Sequence, residues 1–277
     1  MQADKTIQSN KEVETLQPNT LSPNTPEKLL QRLDAIGESL EASGKAYALL
    51  GLGSVGIETE RLDQYSDVDF FAIVQTGHKQ YFLDSLHWLS DIHPIDYAVR
   101  NTVDGYKVLY ADGIFCEFAV FESHELAHIP FAEGRIVWQQ PEFDTQCCIP
   151  PQKRAAEANS QEWIIGEALT NLYVGMSRYN RGEKLSGSRF VQSYALDRLI
   201  DLVDQTEHSE PEFVDEFMSD RRLEARFPKF AQLLPTFTQG YERTAESALA
   251  QLAFLNTHFT VNQAMCDRIT ELCSSKD

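Results

Sequence analysis

The chain has 277 residues, 42% of them hydrophobic and 10% aromatic, with 24 basic against 42 acidic side chains and a formal net charge of −18. That length fits one large or two small domains with buried cores. The acidic balance argues against non-specific binding to DNA or RNA, which needs Lys and Arg to neutralise phosphates, and is compatible with a cationic small-molecule acceptor in an acidic cleft.

Residues 1–25 are polar, rich in Ser, Thr, Asn, Gln and Pro. Such a segment buries too little surface to offset its ordering entropy, so a disordered tail is expected. The first thirty residues hold no apolar signal region, and no apolar run approaches the ~18 residues of a membrane span. The five cysteines, Cys116, Cys147, Cys148, Cys266 and Cys273, show no paired metal spacing. A cytoplasmic protein with reduced thiols and no membrane partner is the expectation.

Thr25-Pro26 opens a helix whose Leu29, Leu30, Leu33 and Ile36 recur at helical spacing. A strand over 46–52 runs into a Gly53-Ser54 turn, and a second strand over 68–74 follows Tyr65-Ser66-Asp67. A helix is expected over 79–89, with Phe82, Leu83, Leu86 and Leu89 on one face. Strands are expected over 95–100, 106–110, 114–121 and 135–138. The paired prolines Pro150-Pro151 mark a boundary. Beyond them four apolar stripes recur at helical spacing: Ile165, Leu169, Leu172 and Met176; Val191, Ala195, Leu199 and Leu202; Ala245, Ala248, Leu252 and Leu255; Val261, Met265, Ile269 and Leu272. The expected architecture is α/β (α+β): a domain with a mixed sheet and helices over 26–150, then a helical bundle over 151–277.

The chemistry concentrates between residues 52 and 74. Side chains alternate along a strand, so Asp67 and Asp69 share a face, roughly 7 Å apart. Magnesium takes oxygen ligands and commonly binds through one or two carboxylates plus substrate phosphates. The Gly53-Ser54 turn can offer backbone N–H groups to a phosphate, more so if a helix starts there. Together these point to a nucleoside triphosphate site.

Gly53-Ser54 followed by Asp67-Val68-Asp69 resembles the signature of the nucleotidyltransferase superfamily that includes kanamycin-type and lincosamide-type antibiotic-modifying enzymes. That family joins a strand, a Gly-Ser turn, a helix and a strand bearing two carboxylates, with a third carboxylate on a neighbouring strand. Glu117, within Ile114–Phe121, stands at that third position. The run Asp63–Phe70 and the turn Asn180-Arg181-Gly182-Glu183 are similar to the lincosamide branch in particular. The resemblance spans about 46–203, and the loop from Ser54 to Asp67 is about two residues longer than in those relatives.

The resemblance implies transfer of a nucleoside monophosphate, AMP from ATP or another nucleoside triphosphate, to a hydroxyl of a small molecule such as a lincosamide or aminoglycoside, with release of pyrophosphate. It implies Mg²⁺ at Asp67 and Asp69, with Glu117 either a third metal ligand or the general base, the latter being the role in similar enzymes. Gly53, Ser54, Ser66 and Arg189 are the implied nucleotide-binding residues, with Arg178 and Arg181 as further candidates. A homodimer is compatible with it. The alternatives are a protein or RNA acceptor, which the chain length and low basicity disfavour, and a non-catalytic binding protein, which the three carboxylates disfavour. A competing pattern, His124-Glu125-Leu126-Ala127-His128, matches a zinc-hydrolase motif. That chemistry needs both histidines on one face of a stable helix, and Pro130 ends any helix there within two turns.

Overall fold

The computed structural model describes residues 24–151, 159–210, 214–215 and 218–274. Most of the expected tail lies outside them. Asn24 and Thr25 do not behave as tail: Asn24 Nδ2 donates to the Gly113 carbonyl, 3.1 Å, and Thr25 caps a helix. Two compact units divide the chain, 1–153 and 154–277.

Helix α1, Pro26–Ser43, starts where the sequence places it. Thr25 Oγ1 accepts from Lys28 N, proline fills the first turn, and Gly44 closes the helix in the left-handed region at φ 64°. Its apolar face, Leu29, Leu33, Ile36 and Leu40, is fully buried. Lys28 and Arg32 converge on Asp112 at 3.2 and 2.9 Å, tying the helix to the sheet. Burial alone would push the Asp112 carboxyl up, but Lys28, Arg32 and the Ile114 amide outweigh it and hold the group below its ordinary range. The stability this supplies is present above the unfolded value of about 4 and disappears as pH falls through the folded value. Asp112→Asn should therefore lower the urea midpoint at pH 7, with the gap to wild type closing in acid.

Six strands form one mixed sheet: β1 Ala46–Leu52, β2 Val68–Val74, β3 Ile95–Arg100, β4 Gly105–Tyr110, β5 Phe115–Glu122 and β6 Arg135–Gln139. Their order is β3-β4-β5-β2-β1-β6. Only β2 and β5 pair in parallel; the other neighbours are antiparallel. One face, carrying Val68, Phe70, Ala72, Val108, Cys116, Phe118 and Val120, shares one core with α1 and with Phe82, Leu83, Trp88 and Leu89. The opposite face is covered over β1 and the C-terminal ends of β2 and β5 by Leu126, Phe131 and Cys148.

Two local expectations give way. The helix expected over 79–89 breaks into α2, Lys79–Asp84, and α3, His87–Ser90, with Ser85 extended between them. The break lets Trp88 turn inward against Phe70, Phe82 and Phe118 while its indole N–H reaches the Phe82 carbonyl at 3.2 Å. Aromatic burial outweighs a few helical hydrogen bonds. Nor does an α-helix follow the Gly53-Ser54 turn; the segment makes two single 3₁₀ turns, Gly53–Val55 and Thr59–Arg61. Arg135 on β6 holds the first of these, donating to the Val55 and Gly56 carbonyls.

The second unit is helical: α4 Gln161–Asn180, α5 Lys184–Arg189, a π-helical segment Phe190–Ala195, α6 Leu196–Thr206, the single turns α7 Leu223–Arg226, α8 Pro228–Ala231 and α9 Leu234–Phe237, then α10 Thr244–His258 and α11 Gln263–Ser274. The four expected stripes all meet its core. The link between α6 and α10 is long, and it adds Leu223, Phe227, Phe230 and Phe237 to that core. Where α4 meets α5, a Cβ on Gly187 would lie 2.6 Å from the Gly175 carbonyl oxygen, so only glycine permits that approach. The π segment releases carbonyls from helical pairing. Buried Gln251 donates to the Val191 carbonyl at 2.8 Å and to Phe237 at 3.1 Å. Gln251→Leu should destabilise the protein by about 1–3 kcal/mol, the cost of orphaned buried acceptors, measured by urea denaturation.

Candidate active site

A single row of residues crosses five strands: Leu52, Asp69, Glu117, Lys107 and Val99, each in register with the next. Neighbouring strands lie about 4.8 Å apart, so Asp69 and Glu117 are side by side on one face. Asp67 joins them by alternation, just before β2, while the intervening Val68 is buried on the opposite side. Their field reaches through the sheet. The Cys116 thiol, pushed up chiefly by burial, is pushed further by Asp69 and Asp67.

Glu117 is held from both sides. Lys107 Nζ lies 3.0 Å from Oε2, and Asn101 Nδ2 donates to Oε1 at 2.9 Å. The pair is open to solvent, Lys107 being 41% and Glu117 42% exposed. Among the described residues no three Asp, Glu, His or Cys side chains close on one point as a metal site. The donor chemistry fits a hard cation through two ligands: Asp67 and Asp69 supply carboxylate oxygens on one face, the number Mg²⁺ commonly takes from protein beside phosphates. Glu117, engaged by Lys107 and Asn101, stands next to them.

Leu52 runs straight into the Gly53-Ser54 turn, which brings the turn beside Asp69. Gly53 takes φ +54°, and a Cβ there would lie 3.2 Å from Arg61 Nη2 and 3.5 Å from Asp69 Oδ2. The left-handed conformation favours glycine, and a side chain there would crowd the Arg61 guanidinium. Ser54 is buried, 3% exposed, so what the turn presents is mainly backbone. The amides of Gly56 and Glu58 point back to the carbonyls of Leu52 and Gly53. Ser66 serves the loop that enters β2: its hydroxyl accepts from the Asp63 amide at 3.1 Å, and Tyr65 N donates to Asp63 Oδ1.

Arg61 was not legible as a site residue. It is one arginine in the long Ser54–Asp67 loop, and only the 3₁₀ turn over 59–61 folds its guanidinium back to Gly53, where it also pairs with Glu58. Lys107 and Asn101 were missed for a related reason. Their bonds to Glu117 come from strand register and from the turn after β3, neither of which leaves a mark at fixed sequence spacing.

Arg189 ends α5 in the helical unit and is exposed. Arg178 is committed locally, donating to Ser186 Oγ at 2.7 Å with its guanidinium 4.2 Å over the Phe190 ring. Arg181 pairs with Glu183 at 3.3 Å. The zinc-hydrolase pattern has the wrong backbone. Only Leu126–His128 is helical, as a single 3₁₀ turn, His124 faces Glu122, and Glu125 binds Lys79. No described helix is long and apolar enough to cross a membrane.

Comparison with family models finds no matching family, and comparison with curated protein sequences finds no matching relative. Among solved structures, the chain is similar to an aminoglycoside 6-adenyltransferase from Bacillus subtilis at 12% identity and TM-score 0.30, over 90% of this chain and 92% of that one. It is similar to a STING-associated CdnE c-di-GMP synthase from Capnocytophaga granulosa at 12% identity and TM-score 0.29, over 91% and 80%. A third similarity is to the Bradyrhizobium diazoefficiens CD-NTase CdnG in complex with GTP, at 15% identity and TM-score 0.23, over 90% and 98%. At these identities and scores no residue's role is carried over from them.

Proposed function

We propose that this chain is a nucleotidyltransferase that moves a nucleoside monophosphate, AMP from ATP, to a hydroxyl of a small molecule. The observation that carries this reading is the parallel register that sets Asp69 beside Glu117, with Asp67 on the same face and the Gly53 turn against Asp69. A pair of carboxylates, a glycine backbone turn and a candidate base beside one another are the parts that phosphoryl chemistry needs.

In the proposed reaction the acceptor oxygen attacks the α-phosphorus. The bond to the bridging oxygen breaks, and its electron pair leaves with pyrophosphate. Glu117 takes the acceptor proton, its carboxylate oriented by Lys107 and Asn101. Asp67 and Asp69 would hold Mg²⁺, which when bound would offset charge growing on the attacking and leaving oxygens. The Gly53 turn and the Arg61 guanidinium bind the triphosphate, in the way that backbone amides and arginine forks suit phosphate oxygens.

Acceptor-dependent release of pyrophosphate from Mg–ATP tests the reading directly. Arg61→Ala should raise the KM for ATP about 10-fold, the loss of one charge-assisted phosphate contact, with kcat less affected. An unchanged KM removes Arg61 from the nucleotide site.

A further inference from the structure

A backbone turn that receives phosphate has to hide its carbonyls as well as offer its amides, because a carbonyl oxygen carries partial negative charge and an amide N–H partial positive charge. The turn after β1 engages four carbonyls inside the protein. Leu52 and Gly53 accept from the Gly56 amide at 3.0 and 3.1 Å, and Gly53 accepts also from the Glu58 amide at 3.2 Å. Val55 and Gly56 accept from Arg135, whose Nη2 lies 3.1 Å from the Val55 oxygen and whose Nε lies 3.4 Å from the Gly56 oxygen. The first two carbonyls are therefore held within the turn, and the last two by one side chain from another strand. Arg135 opens β6 in register with Gly51, the residue before Leu52, so its guanidinium starts out beside the turn. The backbone is tightly packed here. A Cβ on Gly56 would lie 2.6 Å from the Gly51 carbonyl oxygen, and one on Gly134 would lie 2.7 Å from the same atom. The Val55 side chain is fully buried in the core shared with α1.

We propose that Arg135 is a positioning residue for triphosphate binding: it fixes the shape of the phosphate turn by holding the Val55 and Gly56 carbonyls, without itself touching phosphate. The proposal rests on the nucleotidyl-transfer reading of the same site. In a trans peptide the C=O and the following N–H point in opposite directions. Holding the Gly56 carbonyl on Arg135 therefore aims the Ile57 amide away from the guanidinium, and Ile57 is 42% exposed. Without Arg135 both carbonyls lose their donor, and their peptides can rotate toward an incoming anion. That matters more here than in a neutral protein. The chain carries a net charge of −18, and the turn lies against Asp69, so each further partial negative charge adds to an existing repulsion. A guanidinium suits the task because its rigid fork supplies two donors at once, where an ammonium is a single point charge.

The test measures, by calorimetry on the full chain, the affinity for Mg–ATP and for Mg–tripolyphosphate, which carries the phosphates without the nucleoside. Wild type should bind both. Arg135→Met should weaken both by a common factor of about 10, the scale of lost hydrogen bonds to a charged group. Arg135→Lys, which keeps the charge and can reach one carbonyl, should lose less. Gly56→Ala displaces the turn with Arg135 still present and should also weaken both probes. The double variant should bind little worse than the poorer single variant, because both changes act through one turn. Arg32→Met breaks an ion pair elsewhere in the same unit. It should lower the urea midpoint and leave both affinities where they were, which separates the role from a general loss of stability. If Arg135→Met fails to fold, Arg135→Lys and Gly56→Ala carry the test. Affinities unchanged in the folded Arg135 and Gly56 variants overturn the proposal, as does an Arg32→Met loss of the same size. Additive losses in the double variant overturn it too, since they make Arg135 a direct phosphate contact. Wild-type binding of Mg–ATP without binding of tripolyphosphate overturns it while the nucleotidyl-transfer reading stands. Absence of Mg–ATP binding overturns both.

Discussion

Asp69→Ala should lower kcat for acceptor-dependent pyrophosphate release by about 10³-fold while the protein stays folded. The size follows from what the residue is asked to supply. Charge neutralisation by a bound divalent ion is worth several kcal/mol in such a reaction, and about 4 kcal/mol corresponds to ~10³ in rate. Asp69 is the better placed of the two aspartates, between Leu52 and Glu117 in the row and against the Gly53 turn. Its side chain points away from the packed face, so its removal creates no cavity under α1. Circular dichroism and the urea midpoint should stay near wild type. Calorimetry adds a readout beyond turnover: the Mg²⁺-dependent part of ATP binding should disappear. Near-normal turnover in this variant would end the two-carboxylate assignment, whatever Asp67→Ala did.

Much of the fold was legible because its elements carry independent local signals. The Thr25-Pro26 start of α1 is set without reference to the rest of the molecule. The strand over 68–74 is an apolar run after a polar turn, and it forms with those limits. The elements that differed are those where tertiary packing decides. Nothing local stops a helix over 79–89; what stops it is the cluster of Phe70, Phe82 and Phe118 waiting for Trp88. In the second unit the long link carrying Phe227, Phe230 and Phe237 has no helical period of its own, because its three single turns are shaped by what they pack against. The π segment was likewise hidden, since its apolar spacing reads as ordinary helix and the compensating Gln251 lies sixty residues away.

The acids of the candidate site stand out in the sequence; the cations around them do not. Two carboxylates two residues apart on a strand share a face by geometry alone. That Glu117 would stand beside Asp69, rather than a residue above or below it, required the β2–β5 register, which a family resemblance anticipated and composition does not encode. Lys107 reaches Glu117 through a hairpin register, Asn101 through the turn after β3, and Arg61 reaches Gly53 through a 3₁₀ turn. Each is a non-local contact made by a residue type that usually sits solvated on a surface. Ser54 and Ser66 show the converse. Their positions in the pattern suggested phosphate contacts, yet the first is buried and the second is occupied with Asp63.

Glu117→Gln should lower kcat by about 10²–10⁴-fold, the usual contribution of a positioned general base, without weakening Mg–ATP binding. The substitution keeps size and shape and removes the capacity to accept a proton. Glutamine retains one carbonyl oxygen, so a hydrogen bond from Asn101 or Lys107 can persist, and the variant separates basicity from architecture. The contrast with Asp69→Ala is what makes the experiment informative. A base variant keeps its nucleotide and loses turnover; a metal-ligand variant loses metal-dependent nucleotide binding as well. If Glu117→Gln instead lost Mg–ATP binding in parallel with turnover, Glu117 would be a third metal ligand, and the proton would have to leave by another group. If the variant turned over at near-normal rates, Glu117 would be neither. Lys107 and Asn101 would then be holding an ordinary surface carboxylate, and the row across the five strands would lose its proposed chemistry at the third position.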